Sequence, residues 1–460
     1  MYSASDCLLW GATALNVALA NRVTAQSIAA LQQQRLQQLL HDVAQGHTLY
    51  ARPAREAVQT AGALQAMPVL TKPELMQRFD AWVSDPRLTL AQLQAFTADP
   101  ARIAQAYLGQ YTVWESSGSS GVPGIFVQDR QSMALYDALE ALRRSPPSRS
   151  RRWLDPLYLG ERMAFVGVIE GHFASIVSLR RLRRLEPWAS LTMRCMSILQ
   201  PMHRLVQELN AYGPTILISY PTVATVLAEQ QDTQQLHIAP REVWTGGETL
   251  SSRARTCIAR AFQCAVRNHY GASEFFSIAA ECGQGHLHAN TDWLILEPVD
   301  EHYQPVPQGQ LSATTLLTHL GNRVQPLIRY DLGDQIALER KPCACGSPLP
   351  VIRVSGRNDP PLRLRGHAGV PVVIVPLALV TVLEEQAGLF DFQLRQCDDV
   401  TLELSVPHQG AAGRAMLEVA CAALQRFFGM QGLAPIHITT RTGVALPRGI
   451  SGKAQRVHSG

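Results

Sequence analysis

The sequence predicts an α/β protein with a large N-terminal domain and a small α+β C-terminal domain. Between residues 162 and 276, four strand patterns each run through a turn toward a helical pattern. Such a succession is typical of a mostly parallel sheet that binds ligands at the ends of its strands. After residue 311 the pattern changes to short strands. Beyond residue 356 it changes again, to a mixture of helices and strands of about a hundred residues, a common size for a small domain.

The N-terminal part is predicted to be helical. Residues 1–22 are expected to form an amphipathic helix rather than a signal peptide or a membrane span, because they lack a basic leader and two asparagines interrupt the apolar run. Residues 24–43 carry apolar side chains at helical spacing. Thr71 is predicted to cap a further helix, with Pro73 in its first turn.

Residues 115–126, ESSGSSGVPGIF, stand between two strand patterns, YTVW and IFV. Small residues let backbone N–H groups approach a polyphosphate closely, and the serine hydroxyls add donors. Because the chain passes from strand to strand and lacks a Lys-Ser/Thr ending, this is not a Walker-type loop. On this stretch alone, an ordinary Gly/Ser hairpin is an equally good interpretation.

The four strand–turn–helix units differ in their turns. The first turns at residues 170–172, the second passes through Pro221, and the third turns at residues 246–248 into a helix capped by serine. In the fourth, the strand pattern AVRNHY leads into GASEFF and is predicted to continue as a helix in the same way. Residues 143–152, which contain paired prolines, are predicted to be an exposed connection.

Six motifs together resemble the adenylate-forming superfamily of acyl- and aryl-CoA synthetases, and within it the phenylacetate–CoA ligase branch. From about residue 67 onward they occur in the family's order: SSGSSGVPG, GGETL, YGASE, IRYDLGD, GRND and LPRGISGKAQR. The resemblance implies a large adenylate-forming domain over residues 1–357 and a small mobile domain over residues 358–460. The hinge between them would be Asp359. Pro360 and Pro361 follow it and would restrict or displace the hinge motion.

The resemblance also implies an ATP site. In the family the Ser/Gly loop wraps the β- and γ-phosphates, the GGETL turn lies against the adenine, and the last aspartate of IRYDLGD holds the ribose. Val122 replaces the usual lysine of the loop, so we expect weaker ATP binding rather than loss of function. The implied ATP-binding residues are Ser116, Ser117, Gly118, Ser119, Ser120, Gly121, Gly246, Gly247, Glu248, Tyr270, Gly271, Asp334 and Arg357.

Three residues are the implied catalytic groups. A carboxylate such as Glu274 suits Mg²⁺, which prefers hard oxygen ligands, and Ser273 is expected to donate to the α-phosphate. Lys453 is expected to bridge the attacking carboxylate and the α-phosphate and to stabilise the charge of the transition state. The structural alternatives are a helix cap for the Ser-Glu pair and an exposed tail for the lysine.

Cysteines and histidines cluster in two places. Cys282 and His288 follow YGASE, and Cys343 and Cys345 follow the ribose motif. Some members of the branch carry zinc at these places, and three thiolates with one imidazole make a closed, structural zinc site. His286 has the same chemistry as His288 and stays open as the ligand. The alternative is unpaired buried thiols and a surface histidine.

The implied reaction has two steps. ATP activates a carboxylic acid as an acyl-adenylate, and a thiol of CoA or of phosphopantetheine on an acyl carrier protein then displaces AMP. The branch favours aromatic acids, so the resemblance implies a hydroxybenzoate- or phenylacetate-like substrate. The expected pocket is formed by His172, Tyr220, Tyr270 and Phe275. The alternative is a degenerate, non-catalytic homologue that binds a nucleotide or a partner.

Composition and charge restrict the class of protein, its compartment and its partners. The hydrophobic share of 46% and the charged share of 17% fit a soluble globular protein, and the net charge of +4 is too small to indicate nucleic acid binding. Nine scattered cysteines favour a reducing compartment, the cytoplasm. Arginine clusters at residues 143–152 and 180–184 would suit an acidic carrier protein or the 3′-phosphate of CoA. The oligomeric state does not follow from the sequence.

Overall fold

The computed structural model describes residues 4–57, 64–116, 123–144, 160–186, 188–355, 360–367, 369–446 and 456–458. Across these ranges, none of the helices combines the length and the apolar character that crossing a bilayer requires.

Helices dominate the first 140 residues and recur between the strands that follow. The α-helices are α1 (Ala4–Ala20), α2 (Ala25–Gln45), α3 (Ala51–Ala57), α4 (Lys72–Gln77), α5 (Phe79–Trp82), α6 (Leu90–Thr97), α7 (Arg130–Leu142), α8 (Ala174–Leu185), α9 (Ala189–Thr192), α10 (Met202–Tyr212), α11 (Pro221–Asp232), α12 (Ser252–Phe262), α13 (Pro376–Thr381) and α14 (Gly410–Met430). A 3₁₀ turn covers Pro100–Arg102, and a π-helical turn, Val382–Gln386, extends α13.

The strands are short, with the longest spanning six residues. They are β1 (Thr112–Glu115), β2 (Ile125–Gln128), β3 (Met163–Gly167), β4 (Met193–Ser197), β5 (Ile216–Ser219), β6 (Glu242–Thr245), β7 (Ala265–Tyr270), β8 (Ala279–Glu281), β9 (Leu287–Ala289), β10 (Leu294–Val299), β11 (Thr314–His319), β12 (Tyr330–Asp331), β13 (Gln335–Leu338), β14 (Val351–Ser355), β15 (Leu362–Arg365), β16 (Pro371–Ile374), β17 (Gln393–Gln396), β18 (Thr401–Val406), β19 (His437–Thr442) and β20 (Val457–His458).

A nine-stranded sheet organises the large domain, in the order β13-β14-β9-β8-β7-β6-β5-β3-β4. The five strands from β4 to β7 in this order pair in parallel, and the other four pair antiparallel. The chain runs from β3 outward to β4 and then returns to the other side of β3 as β5. Reversal of direction at this point opens a crevice beyond the carboxyl ends of the parallel strands, which is where α/β sheets bind ligands.

Helix ends follow from the local sequence. At the start of α4, the Glu74 carboxylate accepts hydrogen bonds from the backbone N–H and the hydroxyl of Thr71, at 2.8 and 2.6 Å. At the start of α12, the Ser251 hydroxyl accepts from the N–H of Ala254. Both predicted caps are therefore confirmed. The prediction that the Ser/Gly stretch joins two strands is confirmed as well, and the two strands, β1 and β2, pair antiparallel from Thr112 opposite Gln128 onward.

The predicted helix after β7 is wrong. Ala272 and Phe275 exchange backbone hydrogen bonds of 3.0 and 3.1 Å in a tight turn, and the chain then enters β8, antiparallel to β7. Phe275, Ile278 and Ala279 are fully buried in the core, whereas Phe276 is only partly buried. The burial of these side chains and the pairing of β8 with β7 therefore outweigh the helical pattern of the segment.

The C-terminal residues form their own α+β unit. Strands β19, β18, β17 and β20 make a four-stranded sheet in that order, and β15 pairs with β16. This unit packs on the large domain through a continuous apolar cluster that includes Leu217, Leu227, Leu379 and Phe427. The predicted boundary at residues 357–358 lies outside the described residues and stays a prediction.

A buried ion pair anchors α7 beneath the β9–β10 connection. Arg143 Nη2 donates to Asp292 Oδ2 at 2.6 Å, and the guanidinium of Arg35 from α2 lies 3.8 Å from the same oxygen. The side chains of Arg143 and Asp292 are only 3% and 0% exposed. Because both charged side chains are shielded from water, each charge is stabilised mainly by the other.

We expect Asp292→Ala to lower the free energy of unfolding by about 3–5 kcal/mol, because it leaves buried guanidinium groups without their carboxylate. Chemical unfolding of the whole chain measures the change. The matched control is Asp399→Ala, which breaks the exposed pair with Arg365 and should cost within about 1 kcal/mol. Equal losses in the two variants would contradict the prediction.

Candidate active site

A cavity of about 1850 Å³ lies beyond the carboxyl ends of the parallel strands. Its volume exceeds the range of about 300–1,000 Å³ that is usual for one small molecule, so it has room for a nucleotide and a second substrate. Segments that are far apart in the sequence meet there. The sequence-predicted residues that line it are Ser116, Tyr220, Gly246, Gly247, Glu248, Tyr270, Gly271, Ser273, Glu274, Asp334 and Cys343.

Two hydrogen bonds cross between the YGASE and IRYDLGD motifs. The Tyr330 hydroxyl donates to Glu274 Oε1 at 2.6 Å, and the Tyr270 hydroxyl donates to Asp334 Oδ2 at 2.6 Å. Burial and the neighbouring carboxylates raise the pKa of both tyrosines well above the usual value, so each stays a neutral donor. Each motif therefore fixes the carboxylate of the other, and both carboxylates point into the cavity.

Glycine is required at two turns of the cavity wall. A Cβ on Gly271 would lie 2.0 Å from the carbonyl oxygen of Phe276, which no side chain can tolerate. Gly247 has φ of +78°, and a Cβ there would lie 2.9 Å from the ring of Tyr220. The backbone of both turns is thus exposed to the cavity because no side chain covers it.

Glu248 and Ser273 make contacts that the sequence does not reveal. The Glu248 carboxylate accepts from the backbone N–H of Thr222 at 3.0 Å and from its hydroxyl at 2.7 Å, so it caps the start of α11. The carbonyl oxygen of Ser273 accepts from the indole N–H of Trp114 at 2.8 Å, which fixes the turn against β1. Both residues line the cavity, and Glu248 has a structural role besides.

The base of the Ser/Gly loop is closed by a pair of hydrogen bonds between Ser116 and Gly124. The Ser116 N–H donates to the Gly124 carbonyl oxygen at 2.8 Å, and the Gly124 N–H donates to Ser116 Oγ at 2.9 Å. Ser117, Gly118, Ser119, Ser120 and Gly121, at the tip of the loop, lie outside the described residues, as does Val122.

Lys72 is a site residue that sequence reasoning missed. Its Nζ donates to Ser116 Oγ at 3.3 Å, and it lines the cavity. The residue is held there because Leu70 bridges to Tyr330, with the Asp331 N–H donating to the Leu70 carbonyl oxygen at 2.9 Å. Lys72 of α4 thus places an ammonium group beside the base of the Ser/Gly loop. In the sequence, Lys72 is only the first residue of a capped helix, and that pattern does not predict a contact with the Ser/Gly loop.

The structure does not bring every predicted residue to the cavity wall. His172 is fully buried and packs against Phe96 of α6, with ring centroids 5.5 Å apart. Phe275 is fully buried against Tyr136 and His319, while the neighbouring Phe276 lines the cavity instead. The expectation that His172 and Phe275 line the pocket is therefore corrected. The predicted Arg357, Asp359 and Lys453 lie outside the described residues.

Cys282, His288, Cys343 and Cys345 converge beside the cavity, with one ligand atom of each within 4.8 Å of the others. The Sγ atoms of Cys282 and Cys343 are 3.8 Å apart, too far for a disulfide and equal to the edge of a tetrahedron with metal–sulfur bonds of about 2.3 Å. His288 Nδ1 lies 2.8 Å from the Leu349 carbonyl oxygen. When Nδ1 donates a hydrogen bond to this oxygen, Nε2 is unprotonated and able to bind a metal ion. Nε2 lies 3.3 Å from Cys345 Sγ. His286 is exposed and lies outside the cluster.

Carboxylates of both domains meet beside the Ser/Gly loop. Glu115 precedes the loop, and its N–H donates to the His172 carbonyl oxygen at 2.8 Å. Burial, reinforced by the charges of Glu385 and Glu384, raises the pKa of Glu115 to about 7. Glu384 in turn pairs with Arg456 at 2.5 Å, in a contact that is almost completely buried.

No family model matches the chain. It is 29% identical to Protein CapK of Staphylococcus aureus over 174 residues, which make up 35% of this chain and 35% of CapK. The chain thus matches about a third of the length of this curated relative.

Several solved structures cover nearly the whole chain, and two of them serve as examples. The first is 2-hydroxyisobutyryl-CoA ligase with 2-HIB-AMP and CoA in the thioesterification state, at 20% identity and a TM-score of 0.57 over 95% of this chain and 91% of that one. The second is the same ligase in the postadenylation state with 2-HIB-AMP, at 21% identity and a TM-score of 0.55 over 95% and 90%. The shared fold confirms the predicted α/β class with a large N-terminal and a smaller C-terminal domain.

We expect the carboxylate cluster to make stability depend on pH. Because the pKa of Glu115 is about 7 in the folded chain and 4.5 ordinarily, the stability present below pH 4.5 should fall as the pH rises to about 7. Glu115→Gln lacks the titrating carboxylate, so its free energy of unfolding should fall less over this pH range than that of the wild type, by up to about 3 kcal/mol. The measurement is the free energy of unfolding of both proteins at several values between pH 4.5 and 8.

Glu418→Gln is the matched control, since Glu418 is exposed on α14. Its curve should run parallel to the wild-type curve at every pH. A Glu115→Gln curve that is also parallel to the wild type would contradict the prediction.

Proposed function

We propose that the protein is an AMP-forming acid–thiol ligase, which uses ATP to activate a carboxylic acid as an acyl-adenylate and transfers the acyl group to a thiol. The observation that carries the proposal is the meeting of Ser116, at the base of the Ser/Gly loop, with three distant motifs, at residues 246–248, 270–274 and 330–334, around one cavity. Complexes of the structural relative, 2-hydroxyisobutyryl-CoA ligase, with an acyl-adenylate and CoA support the same chemistry. We also propose that the chain is closest to the phenylacetate–CoA ligase branch.

In the first step, residues of this chain position the nucleotide. Asp334, oriented by Tyr270, would accept hydrogen bonds from the two ribose hydroxyls. The serine hydroxyls of the loop and the ammonium group of Lys72 would face the β- and γ-phosphates. Lys72 would thereby supply the positive charge that Val122 does not. Binding in this fixed geometry lowers the barrier chiefly by orientation and charge stabilisation.

Glu274 fits a magnesium ion, since a buried carboxylate that lines the cavity and is oriented by Tyr330 offers the hard oxygen ligand that Mg²⁺ prefers. The ion would supply neutralisation of the phosphate charge. Lys453 would stabilise the developing charge where the acid attacks, in the role that its motif implies.

In the second step, a thiol displaces AMP after the C-terminal domain turns, with Asp359 as the hinge. Arg456 and Glu384 from that domain line the same cavity, which supports its part in the site. The acceptor thiol belongs to CoA or to a phosphopantetheine arm of a carrier protein. The arginines of α8 give little support to a carrier protein, because Arg181 pairs with Asp137 and Arg180 donates to the Ile169 carbonyl oxygen.

We propose an aromatic acid as substrate. Besides Tyr270 and Tyr330, five aromatic side chains line the cavity. Aromatic rings of a substrate can stack against such side chains without ordering flexible chains. The aromatic residues that support this are Phe165, Phe173, Tyr220, Trp244 and Phe276.

We propose that the Cys/His cluster binds a structural zinc ion. Four soft or borderline ligands fit zinc in a closed site, and backbone N–H groups of Gln284, Cys345 and Ser347 lie 3.4–3.5 Å from the sulfur atoms. The ion would tie the β8–β9 hairpin to the turn at residues 342–344, which forms part of the cavity wall.

We also propose that the protein works in a reducing compartment, the cytoplasm, because all nine of its cysteines are free thiols.

Pyrophosphate–ATP exchange, measured over a panel of aryl, arylacetic and aliphatic acids, tests the adenylation step. We expect exchange with one class of aromatic acids, and Lys453→Ala should lower its rate by about 10²–10³-fold because it removes a transition-state charge. Lys72→Ala should chiefly raise the KM for ATP, by about tenfold, since one phosphate contact is lost.

The control for these variants is Lys341→Ala, because Lys341 is an exposed residue that lines the same cavity. Its exchange rate should stay within about twofold of the wild-type rate. Absence of exchange with every acid, although ATP binds, would reject the enzyme and favour the degenerate binding protein.

Metal analysis of protein purified without chelators should find one zinc ion per chain. Cys343→Ser should lose the metal and lower the melting temperature, because the ion links two segments of the folded chain. Cys397→Ser, at an exposed cysteine away from the cluster, should keep both. Substoichiometric metal in the wild type would remove the zinc site.

A further inference from the structure

One arm of the cavity has a floor of three apolar side chains. Phe165 on β3 pairs in register with Ile218 on β5, and Ile218 pairs with Trp244 on β6. The three side chains therefore lie side by side on one face of the sheet, and all of them line the cavity. We call this part of the cavity the acid arm. Its floor alone would suit any hydrocarbon.

Charged groups at and just after the C-terminal end of α7 line the acid arm. The guanidinium carbon of Arg144 lies 4.2 Å from the ring centroid of Trp244, as in a cation–π contact. Arg144 Nη2 donates to Glu140 Oε2, and Glu140 Oε1 lies 2.9 Å from His269 Nε2. Glu140, Arg144 and His269 all line the cavity, and the Glu140 side chain is 26% exposed.

His269 joins this charged end to the glycine turns of the proposed reaction site. Its ring lies within 3.7 Å of the place where a Cβ on Gly246 would stand, and within 3.2 Å of the corresponding place on Gly271. Nε2 of the same ring lies 2.9 Å from Glu140 Oε1 and 3.0 Å from the Ser277 hydroxyl. The imidazole of His269 is therefore in contact with Glu140 and close to both turns.

The charges of the arm select among possible substrates. Burial would raise the pKa of Glu140, but Arg144 and His269 hold it well below its usual range, so the carboxylate is ionised. An ionised carboxylate offers about four lone pairs, and Arg144 and His269 approach one oxygen each. A hydrocarbon end on the substrate would strip water from this carboxylate without replacing the hydrogen bond. An anionic end would be repelled by it.

We propose that the substrates are carboxylic acids with a neutral hydrogen-bond donor, a hydroxyl or amino group, at the end opposite the reacting carboxylate, and that Glu140 accepts this hydrogen bond. The inference rests on the proposed function, because it concerns the acid that is activated. His269 is a positioning residue for Glu140, and Arg144 holds the other oxygen. Specificity of this kind is strong, since a site built around a buried polar group discriminates against analogues that cannot pair with it.

The first test compares matched acids on the wild-type chain by pyrophosphate–ATP exchange. The pairs are benzoate with 4-hydroxybenzoate and 4-aminobenzoate, phenylacetate with 4-hydroxyphenylacetate, and hexanoate with 6-hydroxyhexanoate. In the pair that the enzyme accepts, the donor-bearing acid should have a kcat/KM about 100-fold higher. Terephthalate, with an anionic far end, should be the poorest aromatic acid.

The second test uses Glu140→Gln, which keeps the shape and replaces a charged acceptor with a neutral one. The preference for the donor-bearing acid should fall about tenfold, with little change for the unsubstituted acid. The control is Asp137→Asn one turn earlier on α7, which also breaks an arginine pair, with Arg181, and should keep the wild-type preference. Melting temperatures show that both variants are folded.

The outcomes separate the two proposals. Exchange in which unsubstituted acids or terephthalate equal the donor-bearing acids would overturn this inference and leave the ligase function standing. An unchanged preference in Glu140→Gln would also overturn it. Exchange with no acid in the panel would overturn the ligase function, and the inference with it.

Discussion

The candidate site depends on two hydrogen bonds that cross between sequence motifs about sixty residues apart. Tyr330 holds Glu274, and Tyr270 holds Asp334. Without a partner, each carboxylate would be costly to remove from water and free to rotate. The tyrosine hydroxyls supply a hydrogen bond that fixes it, and their raised pKa keeps them neutral, so no further charge is added. The same crossing fixes the end of β7 against β12. The position of one motif therefore sets the position of the other, and the cavity keeps its shape between them.

The neighbouring parts of the site obey the same requirement for fixed polar groups. Gly271 permits the sharp turn that brings Glu274 toward Tyr330, because any side chain there would collide with the Phe276 carbonyl oxygen. The Glu248 side chain caps α11, which ties the GGETL turn to the helix that follows the neighbouring strand β5. Lys72 reaches Ser116 from an N-terminal helix and places an ammonium group beside the base of the loop.

Electrostatics also decides how the two domains meet. Their apolar side chains form one continuous cluster, which favours the docked arrangement. Beside it, Glu115 faces two glutamates of the C-terminal domain, and Arg456 neutralises one of them. The interface thus combines an apolar attraction with a carboxylate repulsion that grows as the pH rises. Deprotonation of Glu115 therefore opposes the docked arrangement that the apolar contacts favour.

By itself, the sequence determined the α/β class, the two strands that flank the Ser/Gly loop, the caps of α4 and α12, and the motifs that meet in the cavity, because local pattern and turn chemistry specify these. It placed His172 and Phe275 wrongly and predicted a helix after β7, because an apolar residue beside a turn has the same pattern whether it faces a core or a ligand. Lys72, the tyrosine partners and the Glu140–His269 pair are contacts between residues far apart in the chain. Only the tertiary structure decided these, since no local pattern records which distant side chains share a cavity.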